Sequence, residues 1–206
     1  MSSDAEICTS ALVKARQDLS ISNLQTDNTT QARRMRRIYG PTLKRVTQMF
    51  PWWFSEKPVT LVALSKDAYD GFEYAYQVPG DVLEISKVAQ EDAVFRDTAP
   101  GSDANLFKMF TSTDGLTKEV HTQYESAVAL CITTVKTNNI LDPLFLDYFE
   151  FELARQYANL AKVDIADRKL LLQELAVAKN EAMMSSAIQE DVDFDSNNRY
   201  VDARGE

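Results

Sequence analysis

The apolar pattern of this chain changes period twice, and that limits the fold more than any other feature. From Ser3 to Phe50 apolar residues recur every three or four positions. From Pro58 to Val135 they alternate or gather in short β-branched and aromatic blocks, and from Asp142 the helical spacing returns. Helical segments at both ends with strands between them predict an α+β fold: a helical bundle from residues 1–54 and 142–188, an inserted antiparallel β domain over 55–141, and an extended C-terminal tail over 189–206. A chain of 206 residues with 45% hydrophobic residues can build such a domain with an insertion.

Local signals place the elements. Ser3 and Glu6 form a capping-box pattern ahead of Ile7, Ala11, Leu12, Ala15 and Leu19. After a polar loop over 22–31, a second helix from about Thr29 carries Ala32, Met35, Tyr39, Leu43, Val46 and Phe50. Gly40-Pro41 inside it predicts a kink or short break, because proline lacks a backbone donor and crowds the preceding turn; Pro51 ends it. Strands are expected at 58–64, 72–78, 82–88, 105–110, 116–123 and 127–135. Turn signals divide them at Tyr69-Asp70-Gly71, Pro79-Gly80-Asp81, Pro100-Gly101 and Asp114-Gly115, and a mobile loop is expected over 89–105. Asp142-Pro143 is a strong helix start. That helix is apolar on two sides, with Phe145, Phe149, Leu153 and Tyr157 on one and Tyr148, Phe151, Ala154 and Ala158 on the other. One side must therefore meet a strand layer or a second subunit. A last helix runs from near Asp164 toward Ser186.

Charge and chemistry exclude several function classes. A net charge of −9 makes a poor general DNA binder but lets DNA slide past without sticking. Cys8 and Cys131 form no metal-ligand spacing with the single histidine, His121, and read as buried thiols of a reducing compartment. No nucleotide, calcium or nucleophile-elbow motif occurs, so no catalytic residue, cofactor or metal is expected. His121 is expected to face solvent or a partner from its strand, and Glu150 and Glu152 to lie on different helix faces. MSSDAEIC has no signal-peptide character, and no apolar run is long enough to span a membrane; the expectation is a soluble chain made in a cytoplasm.

Three features point to contacts. Arg33, Arg34, Arg36, Arg37, Lys44 and Arg45 crowd one helix. They fit an acidic neighbouring subunit or passing DNA, or else a solvated face paired with the chain's own acids. Trp52, Trp53 and Phe54 form the densest apolar cluster, a core anchor or an interface hot spot. The acidic tail carries Phe194, Tyr200 and Val201, spaced as anchors for a groove on another chain.

An ordered set of motifs carries a family resemblance. Pro51-Trp52-Trp53-Phe54 closes the first helix pair. The strand Tyr74-Ala75-Tyr76-Gln77-Val78-Pro79-Gly80-Asp81 continues into Val82-Leu83-Glu84-Ile85. Asp142-Pro143-Leu144-Phe145 opens a helix with Leu153-Ala154 and Tyr157-Ala158, before a long final helix and an acidic tail. In this order the chain resembles the tail tubular protein A adaptors of short-tailed phages and the related head-completion proteins; Gly40-Pro41 departs from the pattern. The resemblance implies a non-enzymatic virion protein of the neck, assembled in the host cytoplasm. Its homo-oligomeric ring, usually a dodecamer, would join the portal protein to the tail nozzle protein and let DNA through without sequence-specific binding. Arg33, Arg36, Arg37, Lys44, Tyr148 and Phe151 are then the subunit-interface candidates. Phe194, Arg199, Tyr200 and Val201 form the portal-docking tail, and Trp52, Trp53 and Phe54 the core anchor. The alternatives are a head-completion plug of a longer-tailed phage and a small carboxylate-using hydrolase.

Overall fold

The computed structural model describes residues 3–69, 71–90, 107–113, 115–135 and 141–202, with side chains as far as Ile188. Among the described residues the chain forms four helices and two antiparallel sheets, an α+β fold. It divides into a helical unit, Met1–Phe54 with Val135–Glu206, and a β unit, Ser55–Thr134.

In the helical unit α1 spans Asp4–Lys14 and α2 Thr30–Gln48, while α3 spans Pro143–Ala161 and α4 Ile165–Asp202. Each start has its chemical cause. The Ser3 hydroxyl accepts from the Glu6 amide, and the Glu6 carboxylate accepts from the Ser3 amide at 2.6 Å, closing the capping box. Asp142 Oδ1 accepts from the amides of Leu144 and Phe145 ahead of Pro143. Lys162, at φ 55°, turns the chain out of α3.

Helix α3 is the centre of this unit, packed against α1, α2 and α4. Both of its apolar sides are therefore buried within the chain: Phe145, Tyr148, Phe149, Leu153, Ala154, Tyr157 and Ala158 all lie in the helical core. The expectation that one side needs a strand layer or a second subunit is overturned, because three helices surround it. Helix α2 runs unbroken through Gly40-Pro41. Pro41 leaves only the Arg37 carbonyl without its helical donor, and the buried series Ala32, Met35, Tyr39, Val46 stays in step across it, held against α3.

Two boundaries differ from the sequence reading. Val135 and Leu141 both belong to the helical core, so the chain has returned to the helical unit earlier than residue 142. Helix α4 continues to Asp202 where an extended tail was expected from Gln189; neither proline nor glycine interrupts 165–202. The side chains of Phe194, Arg199, Tyr200 and Val201 lie outside the described residues, as does most of the loop expected over 89–105.

The β unit holds β1 (Glu56–Thr60), β2 (Val62–Ala63), β3 (Tyr74–Gln77), β4 (Val82–Gln90), β5 (Phe107–Thr111), β6 (Lys118–Thr122) and β7 (Ala127–Thr133). They form sheets of order β1-β7-β4 and β2-β3-β6-β5, all neighbours antiparallel. Leu61, alone between β1 and β2, is buried where the chain passes from one sheet to the other. One core joins both sheets through Tyr76, Val78, Val120, Val88, Ala129 and Cys131. Gly71 and Gly115 supply the positive φ, 81° and 74°, that two of the turns require.

Candidate functional site

Helix α2 carries all the residues of the basic cluster and no acid. The structure sorts them by what each touches. Arg36 is partly buried and bonds its own unit: Nε donates to the Leu24 carbonyl and Nη2 to that of Asp27, both at 2.9 Å. Arg45 pairs with Glu152. Arg33, Arg37 and Lys44 are exposed, and no acid among the described residues lies within ion-pair distance of them. Spacings of four and seven place these three on one face of α2. Arg36 therefore leaves the set of subunit-interface candidates, because its guanidinium is used in fixing the 22–29 loop.

Beside this face lies a charged cluster. Glu152, 5% exposed, receives Arg155 in a bidentate pair, Nε at 2.9 Å and Nη2 at 2.6 Å, and Arg45 from α2. A groove of about 420 Å³ opens here, lined by Arg45, Tyr148, Glu152, Arg155, Leu172 and Lys179 among others. Glu150 lies on another face, where it and Asp147 receive Lys14 at 2.6 and 2.5 Å, joining α1 to α3.

Tyr148 and Phe151 both pack within the helical unit. Tyr148 is 2% exposed and its hydroxyl donates to Met49 Sδ at 3.4 Å; burial raises its phenol above the usual pKa. Phe151 packs on the helical core beneath Lys14, whose Nζ sits 4.3 Å from its ring centroid. A two-sided stripe in sequence does not reveal that three helices will cover it.

The tryptophans part company. Trp52 is 1% exposed, packed edge-on against Phe145 at 4.9 Å, whereas Trp53 is 45% exposed. Phe54 stays with the core, its ring 4.8 Å from Phe145. Trp53 instead donates its amide to Ser186 Oγ and leaves its ring outside. Neighbouring residues in the turn after α2 point opposite ways, so Trp53 is not a core anchor.

In the β unit His121 is fully buried, against the expectation of an outward-facing residue. The segment after β2 folds over this side of its sheet, stacking Tyr69 on the imidazole at 5.1 Å, with Phe110 at 4.6 Å. The Tyr69 amide donates to Nδ1 at 2.9 Å, so Nε2 carries the proton and faces Glu119 Oε2 at 3.3 Å. Glu119 also receives Lys66 Nζ at 2.5 Å, and that bond chiefly holds its carboxyl below the usual carboxylate range. Both ring nitrogens are engaged within the chain, which makes this triad a closed polar core. The buried thiols are equally withdrawn: burial pushes Cys8 up to about 12 and Cys131 up to about 11.

Among the described residues no group of His, Cys, Asp and Glu is placed to hold a metal ion, and no helix is long and apolar enough to cross a membrane. Comparison with protein-family models and with curated proteins finds no match.

Proposed function

We propose that this chain is a structural protein of a phage virion, a head-to-tail adaptor. Its subunits would form a ring between the portal and the tail nozzle and enclose the DNA channel. The observation that best supports the reading is the acid-free face of α2: Arg33, Arg37 and Lys44 stand exposed, with no ion pair among the described residues, in a chain of net charge −9. Exposed cations on an acidic protein suit an acidic partner surface, and copies of the chain itself supply one. Exposed Trp53 adds a rigid aromatic contact of the kind enriched at interfaces. The order of motifs supports the same assignment, with both chain ends in one helical unit and an antiparallel β unit between them.

In this reading the C-terminal segment with Phe194, Arg199, Tyr200 and Val201 docks along the portal. The DNA in the channel meets a chain whose net charge prevents sticking. The test is negative-stain imaging of the purified chain mixed with its cognate portal. Rings stacked coaxially on the portal are expected, and they should be lost when residues from Gln189 onward are removed while the melting point is kept. A chain that leaves the portal bare and instead shows turnover abolished by one carboxylate substitution would overturn the assignment.

A further inference from the structure

Over its described side chains, 165–188, helix α4 is apolar on two sides, and only one of them is buried. Leu171, Ala178, Ala182 and Ser186 are buried in its own unit. On the other side Leu170, Val177, Met184 and Ile188 are exposed by 44, 57, 66 and 59%. At 100° per residue these four fall within a stripe about 40° wide, roughly opposite the buried side, and extend about 27 Å along the axis. Leu170, Val177 and Met184 stand at seven-residue intervals, the spacing that keeps an apolar seam facing a partner helix.

We propose that the free chain pairs with a second copy of itself through this stripe, with the two α4 helices antiparallel about Val177. The residues flanking the seam argue for that occupant and that direction. Antiparallel pairing centred on Val177 sets Leu170 against Met184 and small Ala166 against Ile188. It sets Gln173 against Glu181, an amide that can donate to a carboxylate. Ala166, Gln173 and Glu181 are all exposed. Parallel pairing in register would instead put Glu181 against its own copy, and like charges at a seam repel. The sequence of the stripe is thus complementary to itself when reversed, which is the requirement of a two-fold contact.

Such a pair does not close a cyclic ring. It describes the chain before assembly, when this stripe would otherwise be left in water. A single helix pair falls short of the roughly 800 Å² per partner of a standard interface, so the pair is concentration-dependent.

The experiment is sedimentation velocity on the full chain over a wide concentration range, alongside Val177→Lys and Val177→Cys. The parent should pass from monomer to dimer. Val177→Lys should keep the parental melting point and weaken the pair at least about tenfold, since it sets two ammonium groups face to face on the axis. Val177→Cys should give a covalent dimer on mild oxidation, because only a residue on the two-fold axis meets its own copy within disulfide reach. Leu170→Cys alone should not cross-link, but mixed with Met184→Cys it should. A parent that stays monomeric throughout, a dimer indifferent to Val177→Lys, or a dimer in which Val177→Cys fails to cross-link would each overturn the proposal. Portal binding is measured separately, so failure here leaves the adaptor reading standing.

Discussion

The indole of Trp52 donates from Nε1 to the carbonyl of Val46 at 2.9 Å. That carbonyl lies in the last turn of α2, where helical acceptors begin to run out of partners. The largest side chain of the helical core therefore also ends the helix that precedes it, while its ring fills the space against Phe145 and Tyr148.

Replacing Trp52 should be costly for both reasons. Trp52→Ala is expected to destabilise the chain by about 3–5 kcal/mol, the range for large core aromatics. Trp53→Ala, at an exposed ring, should stay within about 0.5 kcal/mol. Urea unfolding of both variants measures this. Similar losses at both positions would mean that Trp53 is held in the core in solution.

Glu152 accepts from Arg45 and Arg155, and either cation alone leaves it partnered. Arg45→Ala and Arg155→Ala should each cost about 1 kcal/mol or less, because both guanidinium groups are partly exposed. The double variant strands a buried carboxylate and should cost about 3–5 kcal/mol. Simple additivity in the double-mutant cycle would show that Glu152 is solvated once either partner is lost.

The β unit should have an acid-sensitive stability term of known sign. Glu119 is held below its ordinary range, first by the Lys66 bond and then by that to His121. Its contribution is therefore complete above the unfolded-state pKa of about 4.3 and is lost as the pH falls through the lower folded-state value. The urea midpoint of the parent should drop over that interval. Glu119→Gln should be less stable at neutral pH and show a shallower acid decline. Parallel pH profiles for the two proteins would be incompatible with the Lys66–Glu119 bond.

The basic face of α2 offers a test of the proposed assembly that is separate from folding. Reversing Arg33, Arg37 and Lys44 together to Glu should change the unfolding free energy by no more than about 0.5 kcal/mol per site, since none has a described partner to lose. On the proposed adaptor reading, ring formation on the portal should disappear, and its salt dependence with it. Arg36→Ala should do the reverse: it loses two charge-assisted bonds to the 22–29 loop, about 1.5–3 kcal/mol, and leaves assembly to be restored at lower temperature.

Local chemistry was legible along most of the chain. Ser3 with Glu6, and Asp142 with Pro143, start their helices because a side-chain acceptor and a fixed φ act over three residues, and distant parts of the chain need not intervene. The alternation in 72–78 marks a strand because its side chains point to opposite faces wherever the sheet lies. Periodicity also made α3 two-sided, and separated Glu150 from Glu152.

What covers a face was decided only in three dimensions. His121 lies under Tyr69, a residue 52 positions earlier in the chain, so its burial depends on where the segment after β2 folds back. The second side of α3 is closed by helices from both ends of the sequence, and Tyr148 and Phe151 turn inward for that reason. The same closure leaves Leu170, Val177, Met184 and Ile188 of α4 outside. Adjacent Trp52 and Trp53 differ in burial because a turn aims them apart after α2 ends, and Pro41 is tolerated because packing against α3 outweighs one missing hydrogen bond. Period and caps act over a turn or two of chain and can be read from residues. Covering a face needs long-range contacts, whose partners only the tertiary structure selects.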